Sequence, residues 1–145
     1  LLIKIAPDLS EADKKRISNV ALDTGIDGII VSNTTIKRPS DLISKNKAEI
    51  GGLSGEPLFL ESTKLLKEVF CLTHGRIPLI GVGGVSNGQQ AYSKIKAGAS
   101  LIQIYSAFIF KGPSVVMNIC NELSQLVRED GFKNITEAIG IESNK

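Results

Sequence analysis

Short apolar runs alternate along this chain with longer stretches in which apolar positions recur at helical spacing. Leu1-Leu2-Ile3-Lys4-Ile5-Ala6 is a compact apolar run closed by Pro7 and reads as a strand. Ser10, with Asp13 three residues on, is a helix N-cap with an acidic partner. Ile17, Val20, Ala21 and Thr24 follow at helical spacing, and Gly25 ends the helix. Residues 27–32 form a second buried strand, running into Asn33-Thr34-Thr35. A polar connection without clear period covers 36–55 and contains Pro39; so long a loop in a compact domain is usually functional or disordered. The pattern then predicts a helix over 58–73, with Leu60, Leu65, Leu66, Val69, Phe70 and Leu72 on its apolar side. A strand over 77–82 and a helix over 88–97 capped by Ser86 come next. A strand over 100–105 precedes a polar loop that starts another helix; a long helix over 113–129 and a short turn over 135–139 finish the chain.

Four strand–helix units in succession, with strands apolar nearly throughout, predict a parallel sheet with crossover helices. Such units build an open doubly wound sheet or half of a (β/α)8 barrel. The polar residues gather at the C-terminal ends of the strands, which favours the half-barrel, since that rim carries barrel active sites. An open flavodoxin-like sheet keeps its phosphate loop nearer the N-terminus.

Composition narrows the functional classes. The chain has 145 residues, against about 250 for a full barrel. It opens on Leu1-Leu2 without an initiator methionine, and the expectation is therefore the C-terminal part of something longer. Seventeen basic and fifteen acidic side chains give a net charge of +2, too balanced to point to nucleic acid. Cys71 and Cys120 lack CxxC or metal spacing and read as reduced thiols. His74 is the single histidine, which argues against a histidine metal site or triad; before Gly75 it suits a surface helix end.

Chemistry concentrates at the glycine turns. Gly81-Val82-Gly83-Gly84-Val85-Ser86 reads as strand, turn and helix start, and Ala97-Gly98-Ala99-Ser100 leads to a second such exit at Ile104-Tyr105-Ser106. Amides in such turns, and the helix starts behind them, suit a phosphate, and two units in succession are what the last strands of a barrel provide. Alternation in the first strand sets Leu2, Lys4 and Ala6 opposite Ile3 and Ile5. If the isoleucines face the helices, Lys4 points inward to any bound anion; otherwise it snorkels to water from an edge strand. Asn33 offers two donors and an acceptor to a flat polar ring, or makes an ordinary Asx turn. Gly51-Gly52-Leu53-Ser54-Gly55 is either a cofactor contact or a hinge.

These segments together resemble the dihydroorotate dehydrogenase family, specifically its class 2 members. The resemblance rests on Ile3-Lys4-Ile5-Ala6-Pro7-Asp8-Leu9, Ser32-Asn33-Thr34-Thr35, Gly51 to Gly55, Gly81 to Val85 and Ala97 to Ser100, in family order over essentially the whole chain. Tyr105-Ser106-Ala107, Phe110-Lys111-Gly112-Pro113 and the tail from Gly131-Phe132 to Ala138-Ile139-Gly140 carry the class. The resemblance implies an FMN flavoprotein with a (β/α)8 barrel that oxidises dihydroorotate to orotate in pyrimidine (UMP) biosynthesis and passes electrons to a quinone. It implies that Lys4 contacts the flavin ring, stabilising negative charge there. Ser32, Ser54, Gly55, Gly83, Gly84, Ile104, Tyr105 and Ser106 match the FMN shell, the last five around the phosphate, while Asn33 and Thr34 match the substrate-contacting pair. Ser32 and Ser106 stand where relatives often carry threonine, which keeps the hydroxyl.

By the same resemblance, residues 1–145 are the C-terminal portion of a single FMN-binding barrel domain whose N-terminal half is absent. The catalytic base, a serine, belongs to that absent half, so no catalytic residue and no metal site is expected here and the isolated chain should be inactive. Quinone access and membrane association belong to a missing N-terminal region; the implied location is the mitochondrial inner membrane, or a bacterial cytoplasmic membrane. The alternative from another class is a non-catalytic phosphate-binding half-barrel that associates with itself through its open strand edges, at 1–6 and 100–105.

Overall fold

A computed structural model describes residues 1–143. Four strands, β1 (Leu2–Ile5), β2 (Gly28–Val31), β3 (Leu79–Gly81) and β4 (Ala99–Ile102), form one parallel sheet in chain order. Between them run α1 (Glu11–Thr24), α2 (Phe59–Thr73) and α3 (Gly88–Lys96); α4 (Ser106–Lys111) and α5 (Ser114–Glu129) follow β4. Strand order equal to chain order, with a helix in each crossover, is the half-barrel arrangement expected from the pattern. The ladders continue beyond the strands: the Asn33 amide donates to the Ile5 carbonyl (2.8 Å) and the Gln103 amide to the Gly81 carbonyl (2.9 Å).

The core lies between the sheet and its helices. Ile5, Ile29, Val31, Leu79 and Ala99 from the strands pack against Ala21, Leu65, Leu66, Val69, Tyr92 and Ile95 from α1, α2 and α3. Ile3 joins that cluster, so the isoleucines of β1 face the helices and Lys4 takes the opposite side. Only the helix side is covered, however. Leu2 and Leu101 are 47% and 62% exposed on the inner side, beside the exposed Lys4 and Gln103. Continuous strand hydrophobicity therefore did not mean two covered faces within this chain.

Local chemistry sets the ends of the elements. Ser10 caps α1, accepting from the Asp13 amide (3.2 Å) and donating to its carboxylate (2.6 Å). Gly25 closes α1 in the left-handed conformation, and His74 does the same for α2 at φ 54°. The cap of α3 is Asn87, whose side chain accepts from the Gln90 amide (2.9 Å), and not Ser86. Asn87 has the extended backbone a cap needs, and the Ser86 amide is taken by the Gln90 side chain (2.8 Å). Strand β4 stops at Ile102, short of the predicted 105: after the Gln103 amide's bond to Gly81, the chain leaves the sheet along the rim to enter α4. Leu60 and Val20, assigned to apolar helix faces by their spacing, are 79% and 55% exposed.

Candidate functional site

The C-terminal ends of all four strands open into one cleft of about 940 Å³. Every residue that the resemblance assigns to cofactor or substrate lines it. Lys4 comes from β1, and Ser32, Asn33 and Thr34 from the exit of β2. Ser54 and Gly55 come from the loop before α2, Gly83 and Gly84 from the exit of β3, and Ile104, Tyr105 and Ser106 from the exit of β4. The exits of β3 and β4 thus bound the same space, and Lys4 opens onto it.

The Gly83–Gly84 turn needs glycine for a reason the sequence did not show. Both residues have positive φ, 106° and 74°. A Cβ on Gly84 would lie 2.5–2.8 Å from Phe59 atoms, two of them backbone, and one on Gly83 would lie 2.8 Å from the Ser62 hydroxyl. The space a side chain would occupy is filled by the first turn of α2, which pins the turn from behind while its other side meets the cleft.

The long connection is ordered by packing against the same rim. Thr35 and Leu53 exchange backbone hydrogen bonds in an antiparallel bridge (3.1 and 2.8 Å). Gly52 sits so close to Thr34 that a Cβ would lie 1.8 Å from its hydroxyl, and the Ser54 and Ser106 hydroxyls are 3.2 Å apart. Asp8, after β1, accepts from the Thr35 hydroxyl (2.6 Å) and the Ile36 amide (3.0 Å). Arg38 donates to the carbonyls of Thr35, Ile36, Lys37, Lys47, Glu49 and Gly51. A segment tied at so many points is a built wall of the cleft rather than a hinge.

The lining carries two cations, Lys4 and Lys111, against one carboxylate, Glu56. Lys111 reaches back from α4 to the Ser86 carbonyl (3.0 Å) and hydroxyl (3.3 Å), tying the β3 and β4 exits together. Asn33 accepts from the Thr34 amide through its side-chain oxygen (2.9 Å), which leaves its amide group free to donate. Tyr105 is 78% exposed at the rim. Behind the site, Lys94 of α3 is fully buried, and burial pushes its ammonium down to about 7. Tyr92 of α3 donates to Asp130, the C-cap of α5 (2.7 Å); burial first, then that partner, pushes its hydroxyl up to about 12.

The model for the family described as dihydroorotate dehydrogenase matches residues 1–127. The chain belongs to the dihydroorotate dehydrogenase family. Relatives about half identical to it are of the quinone type. It is 51% identical over 145 residues to the mitochondrial dihydroorotate dehydrogenase (quinone) of Mus musculus, covering 100% of this chain and 37% of that protein. The corresponding Oryza sativa subsp. japonica protein is 53% identical over 141 residues, covering 97% and 30%. Ligand-free DHODH from Eimeria tenella superposes with a TM-score of 0.95 at 44% identity, covering 98% of this chain and 39% of that one. The chain thus spans between a third and two-fifths of the length of most such relatives.

Some residues in and around the cleft escaped sequence reasoning. Lys111 was read only as part of a class motif, although a lysine one residue before Gly-Pro at a helix end was a visible hint. Arg38 sits in a loop without periodicity and gave no signal. Lys94 and Ser62 look like surface positions of amphipathic helices, and only the packing of α3 on α2 reveals them as buried.

Proposed function

We propose that this chain is the C-terminal portion of a single FMN-binding barrel domain in a quinone-dependent dihydroorotate dehydrogenase, which converts dihydroorotate to orotate in pyrimidine biosynthesis. The observation that carries this reading is the convergence of eleven residues, from five separate segments, on one cleft.

The donor set fits the flavin. One end offers the Gly83–Gly84 turn, the Ile104–Tyr105 backbone and the Ser106 hydroxyl, suited to a phosphate ester; the other offers Lys4, Ser32 and Asn33, suited to a flat ring edged with carbonyl and N–H groups. When bound, FMN supplies the acceptor for the two electrons that leave dihydroorotate. Gly83, Gly84, Ile104, Tyr105 and Ser106 would hold its phosphate, and Ser54 and Gly55 would close over it from the loop. Lys4 would set positive charge against the ring, favouring the form that carries extra electrons. Asn33 and Thr34 would orient the substrate. The base serine expected from the resemblance has no match in this chain, so by itself it should not turn over dihydroorotate.

Membrane association and quinone access are assigned to regions outside this chain. Mitochondrial relatives from mouse and rice support a mitochondrial location, with the inner membrane implied by the family resemblance, while Azorhizobium caulinodans and other bacteria carry relatives too. The test is direct: the purified protein with its barrel complete should be yellow, carry FMN in equimolar amount and reduce a quinone analogue with dihydroorotate. A complete protein that takes up no FMN would overturn the reading.

A second reading, a self-associating phosphate-binding half-barrel, is favoured by one observation. Leu2 and Leu101 are exposed on the inner side of the sheet, whose outer strands are β1 and β4. Sedimentation of the chain alone discriminates: a clean dimer supports self-association, and a soluble monomer argues against it.

A further inference from the structure

Lys94 has no place in the cleft, yet it is among the most deeply buried side chains of the molecule, with 0% exposure. A buried ammonium ordinarily needs a carboxylate. Lys94 takes part in none of the ion pairs among the described residues. Its ammonium instead donates to the Ser62 hydroxyl (2.7 Å) and the Thr63 hydroxyl (3.0 Å), and lies 5.2 Å from the centre of the Phe59 ring. All three partners are in the first turns of α2, the surface on which the Gly83–Gly84 turn rests.

The direction of these hydrogen bonds matters. A charged lysine can only donate, so both hydroxyl protons must point elsewhere. The Thr63 hydroxyl gives its proton to the Phe59 carbonyl (2.7 Å). Ser62 lies 3.1 Å from that carbonyl and equally 3.1 Å from the Gly83 carbonyl. With Phe59 already served at the shorter distance, the Ser62 proton goes to Gly83. A neutral amine has a lone pair that can take the Ser62 proton instead, which would release the Gly83 carbonyl.

We propose that Lys94 is a positioning residue for the cleft: through Ser62 its buried ammonium holds the Gly83 carbonyl, and so fixes the Gly83–Gly84 amides in the orientation that receives a phosphate monoester. Its bearing on cofactor binding rests on the flavin reading given above. The groups that face the ammonium are Ser62, Thr63 and Phe59 of α2, with Gly81 of β3 against its stem, and none of these titrates. On α5, which also packs on α3, and at its C-cap, Glu122 and Asp130 are engaged by the Gly88 amide and by Tyr92. The lowered proton affinity of Lys94 agrees with a buried cation whose partners are neutral dipoles. A phosphate dianion bound at the turn would favour the charged form, and by linkage the charged form would favour the dianion.

Two measurements on the purified protein test this. The first follows the Gly83 and Gly84 amide resonances by NMR from pH 6 to 9 without ligand, in the parent, Lys94→Met and Ser62→Ala. The second compares FMN with riboflavin, which lacks the phosphate, by fluorescence titration at pH 7 and 9. In the parent, both amides should move along one titration curve, and FMN should bind more weakly at pH 9. Both variants should lose the amide titration and weaken FMN roughly tenfold or more, with riboflavin unchanged. Methionine fits the apolar stem, and Ser62→Ala keeps Lys94, so one misfolded variant leaves the other decisive. Turn amides indifferent to pH in the parent, or FMN bound equally well by both variants, would overturn the proposal. A parent that takes up no FMN but shows the amide titration would end the flavin reading and leave the relay standing.

Discussion

Single side chains in this molecule act through what lies directly behind them. Gly84 and Gly25 both have positive φ, but only Gly84 is pressed against another element. Gly25→Ala should therefore cost about 1–2 kcal/mol, the backbone strain alone. Gly84→Ala should cost roughly 2–4 kcal/mol, because the methyl also drives into the Phe59 backbone. Urea unfolding of the two variants measures the difference, and equal costs would contradict the close approach. Lys94 gives a second prediction at this scale. Its folded-state proton affinity, about 7, lies below the ordinary 10.5. Between those values the unfolded chain holds a proton that the folded chain lacks, so stability rises with pH over that window and is flat below it. From pH 7 to 9 the gain is about 2 kcal/mol, and Lys94→Met should abolish it in urea titrations.

Elements are held in place by a few polar ties laid over the apolar core. Arg38 is the main tie of the long loop, meeting six backbone carbonyls that would otherwise face solvent or one another. Arg38→Ala should leave the thermal midpoint nearly unchanged, since the loop lies outside the core, while trypsin cuts the segment from Lys45 to Lys47 several-fold faster. Protease resistance equal to the parent would show that the loop is held by its packing on Thr34 alone. Helix α3 and the C-cap of α5 are joined by the Tyr92–Asp130 hydrogen bond at the edge of the core. Tyr92→Phe should cost on the order of 1 kcal/mol, read as a lower urea midpoint with unchanged slope.

At the scale of the whole molecule, the arrangement is lopsided. Helices cover one side of the sheet, and the other presents Leu2, Leu101 and the cleft. Lys4 belongs to this scale because the proposed flavin would rest on the sheet as a platform. Lys4→Ala in the complete protein should weaken FMN or slow its reduction by dihydroorotate at least tenfold, with folding unaffected, because Lys4 is exposed and outside the core. Unchanged flavin affinity and reduction would count against its assigned place.

Alternation and helical spacing were enough to determine the four strand–helix units, because each element's buried face must be apolar at its own period. Ser10, Gly25 and His74 marked helix ends legibly, since capping is satisfied within a few residues of chain. The Gly81–Val85 motif and Lys4 marked the cleft for the same reason: the ends of parallel strands must meet on one rim, whereas Gly98, before β4, lies against Phe70. What the chain could not disclose by itself depends on neighbours distant in sequence. That Asn87 and not Ser86 caps α3 was settled by a competing side chain, Gln90. The burial of Lys94 and the grip of Arg38 on its loop arise only when segments far apart are brought together. A residue's period records which face it occupies, but the partner waiting on that face is supplied by tertiary packing.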